Sequence, residues 1–243
     1  MSPPTRPANA AQIPADKGWQ TLRPRTLVDM VVEAIMDAAV RGRLLPGDRV
    51  VESELGQKLG VSRVPVREAL RILESQGVVI NEPYKGIRLT PYTPERLDNL
   101  IEARVALETS AASRAIRIGR NGAEGMAALE RCIYELELMQ ARNDAYGFAN
   151  ADTDFHRTLM SLSGNDVLCE LWEGLARQVT IFFGLSTLDK KMDAIVEEHR
   201  AFVRIFRSGD PHAVARALNE HISAQTHAVD FAGIIARRRA ELD

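Results

Sequence analysis

Asp152 and His156 stand four residues apart in the stretch NADTDFHRTLM, residues 150 to 160. On a helix that spacing puts a carboxylate and an imidazole on one face, where they can share a proton or a metal ion. Projecting the segment from Ala145 to Ser163 at about 100° per residue gathers Phe148, Phe155, Leu159, Met160 and Leu162 on one side, with Asp152 and His156 at its centre. Asp154, Arg157 and Ser161 face the other way. The pair therefore points inward, where an unpaired negative charge is costly.

The remaining histidines sort in the same manner. His199 falls among Met192, Ile195, Val196, Phe202, Val203 and Phe206, and His221 among Val214, Ala217, Leu218, Ala228 and Ile235. His212 and His227 project to the polar side of the last helix. The turn Ser208 to Asp210 lies nine residues after His199 and eleven before His221. At about 1.5 Å per residue, an antiparallel pair of helices brings the two to the same height within a turn. Three neutral imidazoles and a carboxylate form the donor set of a borderline divalent ion such as zinc, nickel or manganese. The alternative is a hydrogen-bonded Asp–His network without metal.

A second inward pair stands on the segment from Glu95 to Ile118, whose apolar arc holds Leu97, Leu100, Ile101, Val105, Leu107, Ala111, Ala112 and Ala115. Arg104 and Glu108 fall in its middle, so they pair with each other at i, i+4 or answer to something inside the protein. A third constellation is basic. Arg63, Arg67 and Arg71 recur every fourth residue on one face of a helix whose other face carries Val66, Leu70 and Leu73. Arginines on such a face can read guanine edges in the major groove while their neighbours contact phosphate. Ser62 stands where it can cap that helix and turn its amides toward a phosphate.

The elements that position these groups divide the chain. Residues 1–20, rich in Pro and Ala, predict a flexible arm. Residues 21–90 predict a winged helix-turn-helix: a helix over 26–42, a turn at LLPGD, a short helix at ESELGQKLG, a longer one at SRVPVREALRILESQG, then VVI and IRL flanking a hairpin tip with Lys85. The prolines of TPYTP make 91–94 a linker. Residues 95–243 repeat the 3.6-residue pattern with breaks at Gly119 to Gly122, near Asn143, at Ser163-Gly164, near Leu185 and at Ser208 to Pro211, which predicts an all-α bundle of about six helices. The fold class is thus mainly α, in two domains each with its own core.

Composition sets the outer bounds. The net charge of −2 conceals 13 Lys/Arg against 10 Asp/Glu in residues 1–90 and 18 against 23 thereafter. A slightly basic front end suits a polyanion partner only where a motif supports it. No run of about 18 apolar residues and no export signal is present, which predicts a soluble, cytoplasmic protein without membrane contact. Cys132 and Cys169 lack paired metal spacing and have no assigned role.

The stretch ELGQKLGVSRVPVREALRILESQGVV resembles the DNA-binding domain of the GntR family of bacterial transcription regulators, over about Thr26 to Leu89. The resemblance implies that Arg63, Arg67 and Arg71 read the operator, that the wing tip at Lys85 and Gly86 enters the adjoining minor groove, and that a homodimer binds a short palindrome in double-stranded DNA. EARVALE, DTDFHRTLMSLSGNDVL, EEHRAFVRIFRSGD and ALNEHI resemble the effector-sensing FCD domain of the FadR subfamily, nearest its six-helix VanR-like branch. That likeness implies metal ligands at Asp152, His156, His199 and His221, and a role for Arg104 in holding the carboxylate of a small organic acid. The expected function is a ligand-responsive DNA-binding regulator, a repressor by the commoner family outcome. The alternative is a metal-dependent enzyme with water on the open coordination positions, for which Glu108 is the only candidate base.

Overall fold

In the computed structural model, residues 25–242 are described; the expected arm at 1–20 lies outside them. Helix α1 spans Leu27–Val40 and opens on a capping box: the Thr26 hydroxyl accepts from the Asp29 amide at 3.1 Å, and the Thr26 amide donates to the Asp29 carboxylate at 3.0 Å. Helix α2, Glu52–Leu59, closes on Gly60 in the left-handed region, and α3, Arg63–Ser75, follows after a two-residue turn. Ser62 occupies the N-cap position of α3, but its side chain makes no capping hydrogen bond, so the expected cap is not formed. Strands β1, Val79–Glu82, and β2, Gly86–Leu89, pair antiparallel with Val79 opposite Leu89. Val66, Leu70 and Leu73 are buried against Val31, Ile35 and Ala39 of α1, as the period of α3 requires.

Helix α4, Pro94–Arg117, starts one residue earlier than expected, because Pro94 supplies the first helical position and Thr93 the cap. It is followed by α5 (Ala123–Ala141), α6 (Ala145–Leu162), α7 (Asp166–Ser186), α8 (Met192–Arg207) and α9 (Pro211–Asn219). The expected breaks fall between these helices, except that α7 continues through Leu185 to Ser186 and Pro211 already belongs to α9. Helix α6 is the centre of the bundle, packed by α5, α7 and α4.

Two features differ from the expected pattern. After α9 the chain does not continue as one regular helix: it passes through a π-helical turn, Glu220–Ala224, into α10, Gln225–His227, and breaks before α11, Phe231–Leu242. The wider turn and the break before α11 together reset the phase, so that Ile222 and Ile234 are buried and Ala228 is exposed, where a constant 100° step put Ala228 and Ile235 inside. The second difference is that the two halves do not have separate cores. One buried apolar cluster runs from Val31 and Leu70 through Ile181 and Leu185 to Phe202 and Phe231. Gly184 permits this, since a Cβ there would stand 2.4 Å from the Val40 side chain where α7 crosses α1.

The linker is held on both flanks. Tyr92 packs on Phe182 and Phe231, with ring centres at 6.2 and 6.0 Å. Gln178 of α7 bonds Arg96 at 2.7 Å and the Gln76 carbonyl at 2.9 Å, tying the end of α3 to the start of α4.

Candidate metal centre and DNA-facing helix

Helix α6 puts Asp152 and His156 one turn apart on its buried side, α8 brings His199, and the π-helical turn brings His221. Asp152, His156 and His199 have almost no exposed surface. One ring nitrogen from each of the three histidines lies within 4.8 Å of the others. The Nε2 atoms of His156 and His221 are 3.3 Å apart, and Asp152 Oδ1 stands 3.0 Å from His199 Nε2 and 3.9 Å from His156 Nε2. The three imidazoles therefore meet at one place, with Asp152 beside His199 and His156.

Hydrogen bonding fixes which atoms face that place. His156 Nδ1 is 2.7 Å from Glu108 Oε2, and His199 Nδ1 is 2.8 Å from the Ile195 carbonyl. Both oxygens can only accept, so both Nδ1 atoms carry a proton, and the Nε2 atom of each ring is turned toward that place. This is the arrangement in which an outer partner orients a metal-binding histidine. Asp152 Oδ2, His199 Nε2 and His221 Nδ1 are buried without a hydrogen-bond partner among the described residues. His199 Nε2 and Asp152 Oδ1 stand 3.0 Å apart without the alignment of a hydrogen bond. A divalent cation between them would use these orphaned ligand atoms, and the residues present fit such an ion.

Protonation states agree. Burial and the nearby Arg104 hold the His156 imidazole below its usual range, while burial with His199 and His156 alongside holds His221 well below it. Burial pushes the Asp152 carboxyl up, but His199 and His156 outweigh it and leave it lowered. Glu108 is raised by burial and pulled down further by His156 and Arg104, to about 2. At neutral pH two imidazoles are thus neutral and both carboxylates ionised.

Arg104 and Glu108 do pair, Nε to Oε1 at 2.7 Å, while Glu108 also answers to His156 inside the bundle. Trp172 Nε1 donates to the same Oε1 at 2.9 Å. The guanidinium keeps further donors: Arg104 lines a cavity with Asp152, His156 and His221, and its terminal nitrogens have no protein hydrogen bond among the described residues. Trp172 escaped the sequence reading because an indole inside an apolar arc looks like any core residue.

On the opposite half, Arg63, Arg67 and Arg71 lie exposed on one side of α3. Arg67 is paired with Glu52 of α2 at 3.1 Å, Arg71 with Glu68 at 2.8 Å, and Lys85 at the wing tip with Glu82 at 3.1 Å. Such exposed pairs hold little energy and yield to a phosphate or base. Gly86 has φ +79° and Tyr84 φ +64°, the backbone of a tight tip from which Tyr84 projects fully into solvent. Val64, 71% exposed between the arginines, was missed because an apolar side chain gave no polar signal.

Comparison with known proteins decides the family. The pattern of bacterial regulatory proteins of the gntR family matches residues 27–89, and the FCD domain matches residues 99–224. The chain belongs to the GntR family. This GntR-family regulator is 30% identical over 200 residues to a "Probable D-xylose utilization operon transcriptional repressor" of Paenarthrobacter nicotinovorans, covering 82% of this chain and 87% of that one. It is 24% identical over 189 residues to a gluconate operon transcriptional repressor of Bacillus licheniformis, covering 75% and 76%. Its fold matches that of E. coli McbR/YncC with a TM-score of 0.68 at 20% identity, over 89% of this chain and all of the other. It is a DNA-binding transcription regulator, as are the relatives it matches. Among the described residues no helix is long and apolar enough to cross a membrane.

Proposed function

We propose that this regulator is a repressor whose operator binding is controlled by a small carboxylic acid held beside one divalent metal ion in the helical bundle. Asp152, His156, His199 and His221 hold the metal, zinc by the donor set, with nickel or manganese as the other fits. The ion supplies positive charge and open coordination positions. The carrying observation is the buried convergence of three imidazoles and a carboxylate on a cavity that also receives Arg104. Arg104, oriented by Glu108, offers its remaining guanidinium donors to the carboxylate of the acid.

The DNA-facing set is Ser62, Arg63, Arg67, Arg71, Lys85 and Gly86. Ser62 serves through its amide and position at the start of α3, the arginines through bases and phosphates, and the wing tip through the neighbouring groove. A homodimer presents two such helices to the halves of a palindrome. The response travels through the aromatic contact between the cavity and the linker: Phe182 and Phe231 line the cavity, and Tyr92 rests on both. An acid that favours one packing of these rings shifts the placement of the two DNA-binding units.

Elemental analysis of the purified full-length protein tests the metal. We expect about one divalent ion per chain, and near none in His199→Ala that retains its helical circular dichroism. A wild-type protein that takes up no divalent ion on dialysis against zinc, nickel or manganese overturns the reading.

A further inference from the structure

From the walls of the cavity we infer that the controlling acid is a small monocarboxylate with an apolar tail, and not a polyhydroxylated or dicarboxylic acid. This rests on the reading of the bundle as an acid sensor and adds to it the half of the ligand that the metal and Arg104 do not touch.

The cavity lining joins Arg104, Asp152, His156 and His221, a second polar group of Lys190, Glu198 and Gln225, and a set of apolar side chains. The apolar wall is made by Leu97, Leu100, Ile101, Val179, Phe182 and Phe231. The hydroxyls on this wall are already spent as donors: Ser186 on the Phe183 carbonyl at 2.7 Å, Thr226 on the Ile222 carbonyl at 2.5 Å. A ligand bearing several hydroxyls would find acceptors there only at Ser186, Thr226, Glu198 and Gln225, and each hydroxyl set against the six apolar side chains would stay unsatisfied, at a cost in affinity. A second carboxylate fares no better. The one further cation at the cavity, Lys190, is engaged by Glu198 at 2.8 Å and by Gln225 at 2.9 Å, and Glu198 itself lines the space with negative charge. The open volume is about 60 Å³. The tail of such an acid would lie against Phe182 and Phe231, the rings on which the linker residue Tyr92 rests.

Calorimetric titration of the metal-loaded full chain with acetate, valerate, glycerate and succinate tests this. Valerate and glycerate have equal numbers of heavy atoms, so size does not separate them. Burying a methylene is worth about fourfold in affinity, and valerate is expected to bind at least about tenfold more tightly than acetate. Glycerate and succinate are expected to bind no more tightly than acetate. Val179→Thr, nearly isosteric, should weaken valerate by roughly three- to tenfold and leave acetate within twofold. The acid series on the unmodified protein stands even if that variant fails to fold. Glycerate or succinate binding more tightly than valerate, or valerate binding no better than acetate, overturns the inference and leaves the acid-sensor reading intact. If none of the four binds at millimolar concentration, the acid-sensor reading falls and this inference with it.

Discussion

At Glu108 two demands meet: a carboxylate with no exposed surface must be paired, and His156 must be held in one tautomer. Arg104, Trp172 and His156 answer the first, and the ionised carboxylate answers the second by accepting a hydrogen bond from Nδ1–H. Glu108→Gln should keep the fold and lower metal affinity by about 10–100-fold, the usual effect of an altered outer partner, measured by competition with a chromogenic chelator. The sign of the acid response follows from the shifted groups. His156 and His221 lie below their unfolded value of 6.5, and Glu108 falls from 4.5 to about 2. Each therefore adds stability that is present above its unfolded value and lost as pH falls toward its folded one. The metal-free protein should lose thermal stability progressively below about pH 6.5, with a further loss between about 4.5 and 2, and metal affinity should fall over the upper part of that window as protons compete for the imidazoles. A melting temperature that rises on acidification would contradict the assigned protonation states. Inward placement of Arg104, Glu108, Asp152, His156 and His199 was legible in the sequence because burial follows helical period. Which oxygen or nitrogen each side chain meets was not, since that depends on rotamers and on the crossing of helices distant in the chain.

Helix α3 shows how far an element can be read from its own pattern. Its apolar stripe, exposed arginines and limits all follow from a 3.6-residue period, and Arg63→Ala or Arg67→Ala should each weaken specific operator binding by about 1–3 kcal/mol, measured by anisotropy at matched salt. Parent-like binding in both variants would mean that another face reads the DNA. The stretch after α9 shows the opposite case. A five-residue π-helical turn changes the angular step just where His221 must be aimed, and no residue type in EHISA announces it. His221 still reaches the centre because it stands at the turn's second position, ahead of the break before α11 beyond which Ile234 is the buried residue. The linker likewise reads as a mere proline-rich break until Tyr92 is seen on Phe182 and Phe231. Tyr92→Ala is expected to retain acid binding and operator binding while losing most of the effect of one on the other. Full coupling in that variant would remove the aromatic contact from the route.

Across the whole molecule, the expected pair of independent cores is replaced by one apolar cluster that continues from α1 into α7. The sequence could not show this, because the joining feature is an absence: Gly184 has no side chain where Val40 crosses. Gly184→Ala should cost about 1–3 kcal/mol in chemical unfolding as α1 and α7 are pushed apart, and should alter how the DNA-binding unit sits on the bundle. A continuous core suits a regulator whose sensor must move its reader, since packing at the contact transmits a shift that a slack tether would absorb. The central claim joins both ends of the molecule, and one measurement reaches both. Operator DNA selected from a random pool by this protein is titrated with the metal-loaded chain, with and without a bound small acid, and with Arg104→Gln beside the parent. The account predicts that the acid weakens operator binding of the parent by at least about tenfold and leaves Arg104→Gln, still folded and metal-loaded, unresponsive. Operator affinity that does not change while the acid is shown to be bound would contradict it.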